Sequence, residues 1–198
     1  MMKARQTGFT IVELMVTLLV AAILAAIAVP SFRATIEGNR VTAATNALVA
    51  TLQQARSEAV RRNARITICK GGASATDCNT ATGSSWEDGW ILFSDKKVDT
   101  GLAVDAGQDQ ILRHGGQGLA GTIKIVEKGS GPGYVSFNAS GRFVTVGATA
   151  APMSTVFRVC SSSSALGDDS RARDISVSAA GVISSQRATS VSAGCPAP

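Results

Sequence analysis

From Phe9 to Val29 the chain is apolar almost without a break, and one carboxylate, Glu13, interrupts the run. A helix needs about 20 such residues to cross a bilayer, so residues 9–30 are expected to form a hydrophobic transmembrane helix. Pro30 lacks an N–H and crowds the preceding turn, which kinks or locally melts a helix without having to end it. Residues 31–62 contain no further proline and one glycine, Gly38. From Val41 onward apolar positions recur at helical spacing through Ala44, Leu48, Leu52, Ala55 and Ala59. Arg40, Gln53, Arg56, Arg61 and Arg62 fall largely off that stripe. Residues 31–62 are therefore expected to be an amphipathic helix whose small-residue face lies close against a sheet. After Asn63 the period changes from 3.6 to 2. The segments ARITICK, GWILFSD, DQILRH, TIKIVE, YVSFN, RFVTVG, TVFRVC, RDISVS and GVISS alternate in the manner of short strands, with Gly, Ser, Asn or Asp between them. Residues 63–198 are thus expected to be a β-rich globular domain. One long N-terminal helix followed only by strands predicts an α+β fold, with the helix over one face of an antiparallel sheet.

Composition narrows the partners. The 198-residue chain carries a formal charge of +5, of which Lys3 and Arg5 precede the apolar run, leaving a surplus of three for the rest. That surplus does not by itself argue for nucleic acid. Basic residues before the run and no acidic ones keep the start of the chain cytoplasmic. Four cysteines, Cys69, Cys78, Cys160 and Cys195, lie beyond the apolar run. An even count there suggests an oxidising compartment and disulfides. Three pairings are possible; Cys69 with Cys78 and Cys160 with Cys195 needs no crossed connections and is favoured. Zinc is the competing use, but the chain has no C-x-x-C and one histidine.

Glu13 decides what the apolar run is for. A plain transmembrane anchor does not need it. Neither does a secretory signal cut near Ala26-Ile27-Ala28, which has the small-x-small form of a cleavage site. An ionised carboxylate in hydrocarbon is disfavoured by several kcal/mol unless paired, and an acid inside a membrane is by default functional. If residues 1–8 are a leader removed between Gly8 and Phe9, a new α-amine appears four positions before Glu13, on the same helical face. Two staggered chains then pair the amine of one with the glutamate of the other.

The stretch TGFTIVELMVTLLVAAILAAIAVPSF resembles the N-terminus of type IV pilins and type II secretion pseudopilins. The resemblance implies cleavage after Gly8 by a prepilin peptidase, N-methylation of Phe9, and an assembly role for Glu13; Pro30 also matches a proline common in that family. The later stretches WEDGWILFSDKKVDTGLAVDAGQDQILR, VSFNASGRF and RDISVSAAGVISSQR resemble the minor pilins of the GspH/FimT group. That implies a type IV pilin-like fold and a subunit that primes assembly near a pilus tip, with other minor pilins and the major pilin as partners. It implies a single-pass inner-membrane protein with a periplasmic globular domain that later becomes part of an extracellular pilus. A minor pseudopilin of type II secretion shares every N-terminal feature and stays open as an alternative.

A DNA-binding tip pilin for DNA uptake is the other alternative. Some FimT-like proteins bind DNA through a C-terminal Gly-Arg-x-Arg motif. Here Gly181 is present, but Val182 and Ser184 stand where the arginines would be. Arg142, Arg171, Arg173 and Arg187 are the candidate phosphate-contacting residues, because guanidinium groups suit phosphate geometry. Asp168, Asp169 and Asp174 partly offset them. Arg56, Arg61, Arg62 and Arg65 read first as a solvated helix face and second as contacts to an acidic neighbour or a phosphate backbone. Asp95, Asp99, Asp105 and Asp109 miss the spacing of a calcium loop and read as polar turns. Gly115-Gly116 and Gly129 to Gly133 read as turns, since neither continues into the Lys-Ser/Thr of a phosphate loop. Trp86, Trp90 and Phe93 read as core. His114 has no partner in sequence, and Ser161 to Ser164 carry no nucleophile signature. No enzyme, cofactor or metal is expected.

Overall fold

The computed structural model describes residues 8–72, 74–79, 81, 84–96, 102–105, 107–119, 121–129, 131–147 and 150–198. Two compact units emerge, divided between Ile36 and Glu37. Helix α1, Ile11–Arg62, contributes to both and contains Pro30. In the first unit α1 buries nothing: from Phe9 through Ile36 its large apolar side chains are exposed.

The second unit has its own core. Among the described residues nine strands follow α1: β1 Arg65–Lys70, β2 Trp90–Asp95, β3 Gln110–Gly115, β4 Ile123–Glu127, β5 Tyr134–Phe137, β6 Phe143–Val144, β7 Thr155–Ser161, β8 Ala172–Val177 and β9 Ile183–Ala188. Each segment that alternates in the sequence overlaps one of them. They form two antiparallel sheets, in the orders β3-β2-β1-β5-β6 and β4-β7-β8-β9. The expected single sheet is therefore two, because β4 pairs with β7 and not with either sequence neighbour.

The stripe Val41, Ala44, Leu48, Leu52, Ala55 and Ala59 is buried. Polar ties connect α1 to both sheets: Trp90 Nε1 on β2 donates to Thr51 Oγ1 at 3.2 Å, and Ser161 on β7 donates to Glu37 at 3.0 Å. A short 3-10 turn, Trp86–Asp88, sends Trp86 edge-on against Phe157 of β7, ring centroids 5.0 Å apart. Trp86, Trp90 and Phe93 are all core. Gly115 and Gly116 do more than turn the chain: a Cβ at either would lie 2.3 Å from the Trp90 indole.

Both disulfides take the uncrossed pairing, Cys69–Cys78 and Cys160–Cys195. The second holds the C-terminal segment against the outer face of the β7–β8–β9 sheet, where Cys160, Ala172, Ala188, Val191 and Cys195 form a small apolar cluster. Arg158 pairs with Asp174 on that face and also donates to the Pro196 and Ala197 carbonyls.

Candidate functional site

Lys3 and Arg5 lie outside the described residues. At the junction after them, Gly8 has no heavy atom within 4 Å of a Cβ built on it, and Phe9 is 73% exposed. Thr10 starts the helix: its hydroxyl accepts from the Glu13 N–H at 3.2 Å and its carbonyl from the Leu14 N–H. A side-chain oxygen in that role satisfies one of the orphan donors of a helix start. Glu13 sits in the first turn of α1, where a negative charge is favoured by the helix dipole. Its carboxylate has no hydrogen bond or ion pair among the described residues. A segment of this helix with mean hydropathy 2.7 is wholly exposed in the chain by itself.

The four arginines singled out from the sequence do not converge. Arg173 and Arg187 are cross-strand partners on β8 and β9. By strand alternation they share the face that carries the buried Ile175 and Val177, and neither has an acidic partner among the described residues. Arg142 is exposed beside Gly141 on the β5–β6 turn, near the start of β9, whereas Arg187 lies toward its other end. Arg171 must be removed from the set. It is 5% exposed, and its guanidinium is spent on the Ser161, Ser163 and Leu166 carbonyls and on Asp168. Those bonds fold the 161–168 loop; no phosphate can reach them.

The Gly181 of the candidate motif also has a packing duty. It has φ +75°, and a Cβ on it would lie 1.9 Å from the Gly141 carbonyl oxygen. That carbonyl accepts from Arg56 Nε of α1 at 3.2 Å. The β5–β6 and β8–β9 turns, one from each sheet, thus meet backbone to backbone beneath α1.

Arg65, read as a solvated cation, is instead buried and ion-paired with Asp95 at 2.8 Å. Burial pushes the Asp95 carboxyl up despite that pairing and a bond from Thr67. Asp109 accepts from the Lys96 and Asp105 backbone N–H groups, as a turn residue does; Asp99 lies outside the described residues. His114 bonds the Ala75 carbonyl. No cluster of three or more potential metal ligands forms among the described residues.

Two acids escaped sequence reasoning. Glu37 is 7% exposed and bonded to Arg40, Thr122 and Ser161. Burial pushes its carboxyl up, but these hydrogen bonds outweigh it and leave the group below the ordinary glutamate value. Glu127, at the end of β4, accepts from Thr155 and from the Gly133 N–H and so organises the following loop; burial holds its carboxyl above the usual range. The available signal for Glu37 was its helical offset from Val41, Ala44 and Leu48, which places it at the end of the buried stripe.

A family model described as the type II transport protein GspH matches residues 44–181, and one described as the prokaryotic N-terminal methylation motif matches residues 3–29. Among solved structures, the type IV minor pilin FimU of Pseudomonas aeruginosa is similar in two crystal forms. In the first, identity is 27% over 77% of this chain and 90% of that one, with a TM-score of 0.49. In the second, identity is 25% over 73% and 91%, with a TM-score of 0.47. No curated protein matches.

Proposed function

The chain belongs to the GspH family of type II transport proteins, and from that premise we propose that it is a minor pilin that primes assembly of a type IV pilus and stays near its tip. A prepilin peptidase cuts between Gly8 and Phe9, the new N-terminus is methylated, and residues 9–30 hold the subunit in the inner membrane with the β-rich unit on the periplasmic side. Assembly with other minor pilins and the major pilin then carries it into the extracellular fibre. The observation behind this reading is Glu13: a carboxylate without a mate among the described residues, the fifth residue past the cut, on a stretch of helix whose apolar side chains are exposed. A neighbour's α-amine supplies the mate, and the exposed side chains around it supply the contact area. In a low-dielectric setting, removing one partner of such a pair leaves a charge that no other group satisfies.

The test is direct. In cells that assemble the fibre, Glu13→Ala should reduce incorporation at least tenfold while the β-rich unit still folds. Normal incorporation of that variant would refute the role. Gly8→Asp should block cleavage, read by mass spectrometry of the N-terminus; a chain beginning at Phe9 despite the change would overturn the assignment.

Two other readings have observations in their favour. The family description itself favours a minor pseudopilin of type II secretion; loss of secretion with intact piliation on deletion would select it. The unpaired Arg173 and Arg187 on adjacent strands favour DNA contact during uptake. That contact should weaken steeply with salt and disappear in the Arg173→Ala/Arg187→Ala variant. No gel shift at low salt would remove it.

A further inference from the structure

Large hydrophobic side chains that stay exposed are concentrated in residues 9–36, where membrane or fibre contact accounts for them. Among the described residues of the second unit only two such side chains remain, Val60 and Val182, each 55% exposed. They are distant in sequence yet line the same groove, together with Gln53, Arg56, Arg61 and Ile183. Its volume is about 600 Å³. One wall is the last turns of α1 and the other is Val182 and Ile183, where β9 begins.

Strand β9 is the outer strand of its sheet and pairs only with β8 among the described residues. Such an edge offers unpaired backbone N–H and C=O groups to an added strand. The edge at the opposite side of the same sheet is guarded: β4 carries Lys124 and is flanked by Glu87, which accepts from the Ile125 N–H. β9 carries one charge, Arg187, and among the described residues no side chain bonds its outer backbone.

The charge around the groove and along β9 is mainly positive. Residues 178–188 contain no carboxylate. Arg56 makes one bond to a carbonyl, Arg61 and Arg62 share the single acid Glu58, and Arg142, Arg173 and Arg187 have no acidic partner among the described residues. Asp174 is on the other face, held by Arg158.

We propose that this groove and the free edge of β9 receive an extended, acidic segment of a different pilin-class subunit, which adds to β9 as a further strand. Its backbone takes the open hydrogen bonds, an apolar side chain seats between Val60 and Val182, and its Asp or Glu side chains meet the surrounding arginines. A nucleic acid would satisfy the arginines but neither the apolar floor nor the strand edge. The proposal rests on the subunit role argued above and adds the surface through which that role is exercised.

The experiment uses the full chain in cells that assemble it, with p-benzoylphenylalanine replacing Val182 or, as a control, the exposed Lys124. The expected result is an adduct from position 182 and not from position 124, mapped by peptide sequencing to an acidic stretch of another pilin subunit. Arg187→Glu should lower its yield at least tenfold and Arg187→Lys should restore it, with unchanged thermal midpoints of both proteins in detergent. An adduct to nucleic acid, to lipid or to a second copy of this chain overturns the proposal, as does a yield no higher than the control. The N-terminus is read in the same cells. A chain cut at Phe9, dependent on Glu13 for incorporation, with no adduct at 182 sinks the groove alone; a chain that is never cut sinks the subunit role and the groove with it.

Discussion

Two glutamates on one helix divide its labour. Glu37 is buried and finds Arg40, Thr122 and Ser161 within its own chain. Glu13 is exposed and finds nothing among the described residues. The same contrast runs through the apolar residues around them: Leu48 and Leu52 are fully buried, whereas Leu18 and Leu24 are 61% and 62% exposed. A segment that satisfies its own polar group and buries its own leucines stabilises a fold. A segment that does neither is built for contacts that only a bilayer or a neighbouring molecule supplies.

Four substitutions probe that contrast through the thermal stability of the full chain in detergent. The largest effect is expected for Leu48→Ala, which removes fully buried methyl groups and should cost about 3 kcal/mol. The matched change Leu18→Ala should stay within about 0.5 kcal/mol, as exposed sites do. Equal losses from the two would erase the distinction between the segments. Next, Glu37→Gln should cost about 2 kcal/mol at pH 7, the scale of a charged hydrogen-bonded group. The folded carboxyl lies below its ordinary value of 4.5. Its stabilising contribution is therefore present above that value and is lost as pH falls through the lower folded value. The gap between wild type and variant should close in acid; a gap that widens there would reverse the assigned direction. Asp95 and Glu127 are shifted upward, so protonation favours their folded state and they cannot produce the same trend. The smallest stability effect is expected for Glu13→Ala, within about 0.5 kcal/mol, although assembly is lost.

Much of this architecture is legible in the sequence because periodicity encodes it. A 3.6-residue repeat of Ala and Leu marks the buried face of α1, and period-2 runs mark the strands. Pairing between distant strands leaves no local trace, which is why β4 joining β7 and the resulting second sheet were not visible. Type-based expectation fails where a residue behaves unlike its kind. Arginine is mostly exposed and was read so, yet Arg65 and Arg171 are buried and bonded. Glycine pairs usually turn the chain, yet Gly115 and Gly116 make room for Trp90. At the candidate site, the proposal for Gly8, Phe9 and Glu13 rests on their spacing along one segment, which the sequence shows directly. The arginine set was not legible there, because which side chains share a face depends on the register of β8 with β9.

The contact of Gly181 with Gly141 has an evolutionary corollary. Architecture forbids any side chain at position 181, but its authority ends one residue later, where Val182 and then Ser184 face solvent. Those two letters can change while the scaffold beneath stays the same. Divergence in what such subunits recognise then needs no remodelling, only respelling at the tip of one hairpin.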